Sequence, residues 1–255
     1  MIRQLRAPNP GPYTLDGTNS YVIDDVAVVD PGPALRPHLD RLLEAAPRLQ
    51  KIFVTHRHGD HAPGAVDLAW RSGAIVITPP GVLKDEVVHR RLRDGDEIEL
   101  GSSTLQAIAT PGHTAEHFCF LTPEGDLFTG DMVLGEGTTA IFPPDGNMGD
   151  YLRSLERLRS VHPKRIFPGH GPVRNDAVEV IDSYIEHRRM RERQVVEILD
   201  KEPLSIPLLR AKIYPQLADG LEAAAEAQLL AHVLYLMEQG RVAEEDSSYR
   251  LEVVQ

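Results

Sequence analysis

The residues best suited to chemistry lie in the segment 55–61, which reads Thr-His-Arg-His-Gly-Asp-His. The segment offers three imidazoles and one carboxylate, and it follows the apolar, strand-like run 51–54. Imidazole nitrogens suit zinc or iron, and a carboxylate oxygen suits a harder or second cation. Four such groups exceed what a closed tetrahedral site takes from one short loop, so the segment favours two metal ions over one. The alternative is a solvated polar loop whose histidines cluster by chance.

Three later turns each add one residue of a metal-binding type. His113, Asp131 and His170 each follow a glycine in a turn that comes after a predicted strand. A single histidine or aspartate in such a place is usually a hydrogen-bonded polar residue or a helix cap. Because all three turns come at strand ends, the sequence predicts that they deliver their side chains to one edge of the fold. For His117, four residues after His113, support of the metal ligands and packing in the core are equal alternatives.

Hydrophobic periodicity and turn residues predict an α/β fold that positions these groups. The strand before the histidine segment, the helix after it and the next strand form a unit in which chemistry commonly lies at the carboxyl ends of strands. Residues 94–130 lose helical periodicity, which predicts an antiparallel series of short strands. The predicted strands are 21–23, 26–30, 51–54, 74–78, 98–100, 104–109, 117–121, 126–128 and 165–167, and the predicted helices are 34–46, 62–72 and 150–161.

The composition is that of a soluble protein able to bury a sizeable core. Of 255 residues, 42% are hydrophobic and 25% are charged, and 38 Asp plus Glu outnumber 27 Lys plus Arg, for a formal charge of −11. That charge argues against coating of nucleic acid or anionic membranes by the whole surface. No signal peptide or long apolar run is visible, and the single Cys119 forms no internal disulfide. We therefore expect a cytoplasmic protein with no membrane partner.

Four motifs resemble those of the metallo-β-lactamase superfamily and occur in its order, namely Thr-His-x-His-x-Asp-His, Pro-Gly-His-Thr, Thr-Gly-Asp and Pro-Gly-His-Gly. The resemblance implies a four-layer αββα sandwich with two metals at one edge of its sheets. It implies two Zn²⁺ ions, with Fe or Mn as alternatives, and Asp131 as the ligand that bridges them. The other implied ligands are His56, His58 and His113 for the first metal and Asp60, His61 and His170 for the second. The antibiotic-hydrolysing branch uses a cysteine ligand, whereas Cys119 lies in a predicted strand, so we expect a different substrate.

A narrower resemblance covers nearly the whole chain. Residues 9–21, 130–139 and 184–188 resemble the lactamase-β-like endoribonuclease group. The resemblance implies cleavage of single-stranded RNA with zinc and a winged helix at the carboxyl terminus. Relatives of that group include thioesterases that act on acyl carrier protein. The run 9–21 is shared by both, so it does not separate the two chemistries.

The carboxyl-terminal part fits a small winged-helix-like domain. The predicted order is three helices and a hairpin, at 176–199, 206–213, 221–239 and 241–254. We predict a metallo-β-lactamase-type hydrolase domain at 1–195 and the winged-helix-like domain at 196–255. The second domain holds 5 Lys plus Arg and 11 Asp plus Glu, a net charge of 5 − 11 = −6. Because phosphate-binding surfaces are normally basic, we interpret it as a packing or homodimer element, with nucleic-acid binding as the alternative.

Together these features predict a dinuclear zinc-dependent hydrolase that uses a metal-bridging hydroxide, with Asp60 and Asp131 as catalytic residues. The first substrate candidate is single-stranded RNA, cleaved by a phosphodiesterase or endoribonuclease activity. Arginines at 90, 91, 93, 188, 189, 191 and 193 could contact its phosphates, although the charge of −11 opposes this. The alternative is a small thioester, cleaved by a thioesterase or a hydroxyacylglutathione hydrolase-like enzyme. Thr138 and Thr139 are predicted to contact the substrate.

A third hypothesis comes from a different class of protein. The chain could be a regulator that carries an inactive metal site and acts through its winged helix. Such a regulator has no need of all seven ligands, whereas this sequence carries every one. Metal analysis alone distinguishes this hypothesis from the two enzymatic ones.

Overall fold

Two β-sheets that face each other organise the fold, in a computed structural model that describes residues 1–101 and 103–252. The first sheet contains β1 (Ile2–Arg6), β2 (Asn19–Ile23), β3 (Ala27–Val29), β4 (Lys51–Phe53), β5 (Ile75–Thr78) and β6 (Arg90–Arg91). The strands lie in their sequence order. Strands β1 to β3 pair antiparallel, whereas β3 to β6 pair parallel, which makes this a mixed sheet.

The second sheet has five strands. They are β7 (Glu97–Leu100), β8 (Ser103–Ala109), β9 (Phe118–Leu121), β10 (Asp126–Gly130) and β11 (Arg165–Pro168). Their order is β11-β10-β9-β8-β7. Strands β7 to β10 form the predicted antiparallel series, and β11 adds to β10 in parallel. The turn expected between the predicted strands 98–100 and 104–109 contains residue 102, which lies outside the described residues.

Alternation of side chains along the strands divides the core into layers. In the first sheet, Val28 and Ile52 pack against helices α1 (Arg36–Ala45) and α2 (Gly64–Ser72) on its outer face. Their neighbours Val29 and Phe53 point the other way and pack against the second sheet. The outer face of the second sheet packs against α3 (Met148–Ser160) and α4 (Ala177–Leu199). The order helix, sheet, sheet, helix confirms the predicted αββα sandwich.

The carboxyl-terminal part is a separate small core built on the end of α4. It consists of α5 (Ile206–Ile213), α6 (Glu222–Glu238) and the hairpin strands β12 (Val242–Glu245) and β13 (Ser248–Leu251). Val195 and Leu199 of α4 belong to this core, whereas Ile181 and Ile185 of the same helix belong to the core of the sandwich. The predicted boundary between residues 195 and 196 therefore falls inside a helix that both cores share. Residues 253 and 254 of the predicted hairpin lie outside the described residues.

Helix α4 is the longest helix, at 23 residues, and its two ends serve different cores. It carries a basic cluster at residues 187–193, which contains four of the arginines considered above as phosphate contacts. Between residues 1 and 252, with residue 102 set aside, no helix has both the length and the apolar composition that a membrane span requires.

Two strands were absent from the sequence prediction. β1 is an exposed edge strand whose five residues, Ile-Arg-Gln-Leu-Arg, show little alternation, and pairing with β2 is what makes it extended. β6 is only two residues long and consists of Arg90 and Arg91, two of the arginines considered above as phosphate contacts. There Arg91 instead donates to the carbonyl of Leu83 at 3.0 Å and to the hydroxyl of Thr78 at 2.6 Å. Both strands depend on tertiary pairing rather than on local propensity. A short 3-10 helix at Asp85–Val87 precedes β6.

Candidate metal centre

The loop 55–61 and the later turns meet at one edge of the sandwich. The loop follows β4 of the first sheet, and Asp131 and His170 follow β10 and β11 of the second. Phe118 donates its backbone N–H to the carbonyl of Thr55 at 2.9 Å, which joins the two sheets beside the loop. Because β10 and β11 are parallel neighbours, the residues after them leave the sheet side by side. The fold thus brings together all seven residues that the sequence analysis named as ligands.

The first cluster consists of three histidines near one oxygen of Asp131. Ligand-type atoms of His56, His58, His113 and Asp131 all lie within 4.8 Å of one another. His58 Nδ1 lies 3.0 Å from His56 Nε2 and 3.1 Å from His113 Nε2. His113 Nδ1 lies 2.7 Å from the carbonyl of Ala140 and can only donate to it. In the neutral ring this leaves a lone pair on His113 Nε2, the atom that faces the other two histidines.

The second cluster consists of Asp60, His61 and His170, whose ligand-type atoms also lie within 4.8 Å of one another. Asp60 Oδ2 lies 3.3 Å from His61 Nε2 and 3.1 Å from His170 Nε2. The hydroxyl of Thr18 donates to the same carboxylate oxygen at 3.0 Å and fixes its orientation. The two imidazole Nε2 atoms lie 3.3 Å apart. The three side chains thus form a second group of converging metal-binding atoms.

Asp131 lies between the two clusters and turns one oxygen to each. Its Oδ2 lies 4.0 Å from His56 Nε2 and 3.7 Å from His113 Nε2. Its Oδ1 lies 3.3 Å from His61 Nε2 and 3.4 Å from His170 Nε2. Oδ1 is buried, yet none of the described residues gives it a hydrogen bond of acceptable geometry. Buried carboxylate oxygens are normally satisfied, so the orphaned oxygen and the five converging imidazoles fit a pair of bound divalent cations.

Asp30 is the residue of this centre that the sequence analysis missed. It is 2% exposed, and its Oδ2 accepts from His61 Nδ1 at 2.9 Å and from the Thr55 hydroxyl at 2.8 Å. Its Oδ1 accepts from the Thr55 backbone N–H at 2.8 Å. These bonds hold the proton of His61 on Nδ1 and turn Nε2 toward the centre. The signal was available, because Asp30 ends a predicted strand before a proline-glycine pair, much as Asp131 follows β10.

The charges of the centre depend on one another. Burial disfavours the carboxylate of Asp131, but His61 and His170 outweigh it and hold the pKa of Asp131 well below its usual range. Burial also opposes protonation of His170, but Asp131 and Asp60 outweigh it and raise the pKa of His170 to about 9. The pKa of His61 is raised in the same way, by Asp131, Asp60 and Asp30 against burial. The metal-free centre therefore holds protons on these two imidazoles at neutral pH.

Metal binding is expected to release protons, because an imidazole must be neutral to ligate. With the pKa of His170 at about 9, binding at pH 7 displaces a proton from that ring. The apparent metal affinity should then fall by about tenfold per pH unit below 9 for each proton displaced. Calorimetric titration of the metal-free protein in two buffers of different ionisation enthalpy measures the release. Identical heats in the two buffers would contradict the expected charge state.

Gly169 leaves room for two of the converging residues, Asp131 and His61. A Cβ at this position would lie 2.5 Å from Asp131 Oδ1 and 2.6 Å from His61 Cε1. Gly169→Ala is therefore expected to displace these groups and to lower kcat/KM by about tenfold, because a displacement of 1 Å can cost on the order of 100-fold and the shift needed is smaller. The matched control is Gly59→Ala, since a Cβ at Gly59 meets nothing within 4 Å. Equal kcat/KM values for the two variants would show that the close approach does not matter.

A cavity of about 480 Å³ opens in front of the centre. Both predicted substrate-contact residues, Thr138 and Thr139, line it. Thr139 is buried and donates its hydroxyl to the carbonyl of Met132 at 3.2 Å, so that hydroxyl is already engaged. Thr138 is exposed, and its oxygen accepts from Arg188 Nη2 at 2.7 Å, which leaves its own O–H free to donate. Of the two threonines, Thr138 is the better placed to contact a substrate.

His117 lies directly behind the centre rather than in it. Its Nε2 accepts from the backbone N–H of Asp131 at 3.3 Å, and its Nδ1 lies 2.9 Å from the Thr110 hydroxyl. Its ring lies 5.0 Å from the ring of His56. It is fully buried, so it both packs in the core and supports two of the converging residues.

Residues 13–170 match the metallo-beta-lactamase superfamily, over a range that contains all seven converging residues. The chain belongs to this superfamily. Its residues 205–250 match the beta-lactamase associated winged helix domain, which confirms the predicted winged helix. Members of the superfamily are metal-dependent hydrolases, and this chain is accordingly an enzyme of that class with a dinuclear-type His/Asp site for divalent metal ions.

The chain is similar to curated proteins with different names and to a solved structure. The "Beta-lactamase-like protein 2 homolog" of Caenorhabditis elegans is 39% identical over 78% of this chain and 70% of its own length. The "Atrochrysone carboxyl ACP thioesterase dmxR1" of Cryptosporiopsis sp. is 31% identical over 79% of this chain and 63% of its own length. The crystal structure of a metallo-beta-lactamase family protein from Thermus thermophilus superposes with a TM-score of 0.80 at 23% identity, covering 98% of each chain. That structure supports the fold alone.

Proposed function

We propose that this superfamily member hydrolyses a thioester. The observation that carries the proposal is the wall of the cavity in front of the metal centre. Outside the five metal-binding residues that line it, most of its side chains are apolar or aromatic, and the polar ones are three threonines and Glu136. The apolar and aromatic side chains are Pro12, Tyr13, Leu15, Leu134, Ala140 and Phe142. Apolar walls with a few convergent polar groups suit a small acyl substrate better than a polyanion. The thioester was the second of the two hypotheses drawn from the sequence, and the cavity favours it over RNA.

The arginines that could contact RNA are largely engaged within the protein. Of the seven, four form ion pairs, namely Arg90 with Asp96, Arg91 with Asp85, Arg189 with Glu156 and Arg193 with Glu186. Together with the formal charge of −11, this pairing leaves few cations for a long phosphate backbone. A thioester needs far fewer positive groups, so the same surface fits it without difficulty.

The seven converging residues would hold two divalent cations, which we propose are zinc, with iron or manganese as alternatives. When bound, such cations supply Lewis acidity and lower the pKa of water from about 15.7 to near 7. In the reaction, the water oxygen bonds to the carbonyl carbon and the carbon-sulphur bond breaks, giving a carboxylate, a thiol and one proton. Asp60 lines the cavity, and its carboxylate can accept a hydrogen bond from the attacking water. The free O–H of Thr138 can donate to the substrate.

Some relatives carry names that support this proposal. Two of them, from Cryptosporiopsis sp. and Paecilomyces divaricatus, are named "Atrochrysone carboxyl ACP thioesterase" and are 31% and 32% identical to this chain. The alignments span 79% and 78% of this chain, including most of the hydrolase domain. Proteins named for thioester chemistry on an acyl carrier protein are therefore found among relatives about 31% to 32% identical to this chain.

Cleavage of single-stranded RNA is the second candidate. It is favoured by Tyr13, which is 63% exposed at the cavity, because exposed aromatic rings can stack on unpaired bases. The resemblance of residues 130–139 and 184–188 to the endoribonuclease group supports it as well. The same aromatic ring can equally pack against an acyl group, so Tyr13 alone does not decide between the substrates.

The test is to incubate the purified protein with an acyl thioester and with a single-stranded oligoribonucleotide, each with and without a chelator. The proposal expects release of free thiol that the chelator abolishes, and an intact oligoribonucleotide. Cleavage of RNA without release of thiol would overturn it in favour of the second candidate. The Asp131→Ala variant serves as the blank, because a contaminating nuclease or esterase would still act in that sample.

A further inference from the structure

Arg188 is a buried cation without an acidic partner. Its residue is 2% exposed, and it forms no ion pair with any carboxylate between residues 1 and 252 that the structure describes. Its Nη2 donates to the hydroxyl of Thr138 and the carbonyl of Thr139, both neutral, and its guanidinium lies 5.3 Å from the ring of Tyr151. Its Nε is buried without a partner among those residues. Burial of an uncompensated charge is costly, so an anion bound nearby would stabilise this arrangement.

Arg191, one turn further along α4, is in a similar situation. Its guanidinium lies 4.4 Å from the ring of Tyr214, and its Nη1 donates to Gln194 at 2.7 Å. Within the described part of the chain it has no carboxylate partner, and its Nε has no hydrogen-bond acceptor. Near it, Gln228 accepts from the backbone N–H of Ile141 at 3.1 Å through Oε1, while its buried Nε2 has no acceptor among the same residues. Two guanidinium groups and an amide thus offer unused donors in one region.

The histidines of this region add no further positive charge. The pKa of His187 is lowered, first by burial and then by Arg188 and Arg191. Burial and the same two arginines lower the pKa of His232 to about 3, and this ring is 1% exposed. Both histidines are therefore neutral at pH 7. The positive charge of the region comes from the two arginines and is not balanced by an acid there.

These donors line a groove that continues the cavity of the metal centre. The groove, of about 370 Å³, runs between the hydrolase domain and the winged helix, and Arg188, Arg191 and Gln228 contribute to its wall. It shares Tyr13, Thr138, Phe142 and neighbouring residues with the cavity in front of the centre. The rest of its wall is mostly apolar and includes Leu217, Leu221, Ala224 and Ala225, and no aspartate or glutamate is among the described residues that line it. An occupant would therefore be elongated, largely uncharged along its length and anionic at the end away from the metals.

We propose that this groove binds the phosphate-bearing pantetheine arm of a thioester substrate. The thioester carbonyl lies at the metal centre, the amide-containing arm follows the apolar wall, and the phosphate is bound by Arg191 and Gln228. Arg188 acts as a positioning residue, because it holds Thr138 and adds positive potential beneath the arm. This assignment rests on the proposed thioesterase function. The same arm occurs in coenzyme A and on acyl carrier proteins, so both sources share the chemistry that the groove recognises.

The test compares Arg191→Gln with Arg193→Gln, which removes the same charge from an exposed arginine of the same helix that does not line the groove. Each protein is assayed on acyl-4′-phosphopantetheine and on acyl-pantetheine, which lacks the phosphate. The unaltered protein and Arg193→Gln are expected to favour the phosphorylated substrate in kcat/KM by about 10-fold to 100-fold. Arg191→Gln is expected to bring that ratio close to one, mainly through KM. A comparison of acyl-coenzyme A with an acyl carrier protein then identifies the source of the arm.

Failure of the groove assignment is distinguishable from failure of the thioesterase proposal. Hydrolysis of both substrates at equal kcat/KM, unchanged in Arg191→Gln, overturns the groove assignment and leaves the thioesterase proposal intact. If no thioester is cleaved, calorimetric binding of 4′-phosphopantetheine and of pantetheine tests the groove by itself. Binding that needs both the phosphate and Arg191 supports the assignment, and equal or absent binding of the two overturns it. Cleavage of an oligoribonucleotide that Arg191→Gln weakens would assign the groove to RNA phosphates and overturn it as well.

Discussion

Asp131→Ala is expected to lower kcat/KM by at least about 1,000-fold and to reduce the amount of bound metal. The reason is the position of the carboxylate, whose Oδ1 faces His61 and His170 while Oδ2 faces His56 and His113. Without it, the two clusters lose their common oxygen-bearing group, and metal ions contribute several kcal/mol to hydrolytic transition states. The variant also removes the negative charge that raises the pKa of His61 and His170. Steady-state kinetics and elemental analysis of the same samples measure both effects.

The matched control for this variant is Asp182→Asn, which removes one carboxylate charge at an exposed position paired with Arg159. It should keep its metal content and its rate, because Asp182 does not line the cavity of the centre. Retention of two metals and of the full rate by Asp131→Ala would show that the carboxylate does not join the clusters.

Asp30→Asn is expected to lower kcat/KM on the order of 100-fold, although Asp30 itself does not line the cavity. An asparagine could still accept from Thr55 through its carbonyl oxygen. Its NH₂ group would then face His61 Nδ1, where the aspartate now accepts at 2.9 Å. A donor there favours the tautomer with its proton on Nε2, the atom that must carry the lone pair for a metal ligand. Metal affinity and kcat/KM should fall together, and a competitive titration with a chromophoric chelator measures the affinity.

A second buried carboxylate provides the control for Asp30→Asn. It distinguishes a general loss of stability from a change in the tautomer of His61. Asp126 is 5% exposed, lies on β10 and pairs with Arg165 at the far end of the strand from the centre. Asp126→Asn is expected to lower the free energy of unfolding, because it too removes a buried carboxylate that has partners. It is expected to leave metal affinity unchanged. Thermal unfolding of the metal-free proteins compares their stabilities. Equal metal affinities in the two variants would contradict the role assigned to Asp30.

The ligand set was predictable because it lies in short motifs. The loop 55–61 carries four ligands in adjacent positions, and each of the others follows a glycine at a strand end, so local sequence was sufficient. The layer order was implied by the resemblance to the metallo-β-lactamase superfamily, which the same motifs carry. Asp30 was missed because its role comes from contacts with Thr55 and His61, which lie 25 and 31 residues away along the chain. The sequence showed that Asp30 ends a strand, but it did not show its partners, because these contacts are set by the parallel pairing of β3 with β4.

The basic cluster 187–193 shows that the net charge of a segment does not predict which of its side chains are buried. As a run of charges it indicates a solvated surface, yet Arg188 is buried while Arg189 and Arg193 are exposed and paired with acids. Helical spacing distinguishes the buried arginine from the exposed ones. Arg188 lies four residues after the buried Tyr184 and seven before the buried Val195, which places it on the buried face of the helix. The net charge of the segment conceals this difference between the faces of the helix.

Several expectations stay predictions. They are the domain boundary at 195/196, the homodimer, the cytoplasmic location and zinc as the native metal. The boundary is the most open to a structural test, since α4 continues without a break from one core to the other.

The central claim is that two divalent cations held by the converging residues are required for hydrolysis. Titration of the metal-free protein with Zn²⁺, with bound metal and thioester hydrolysis measured in every sample, tests it most directly. The account predicts that hydrolysis is absent without metal, rises to its full rate as the second equivalent binds, and is lost again on addition of chelator. Full hydrolysis by the metal-free protein, or saturation of both binding and rate at one metal ion per chain, would contradict it.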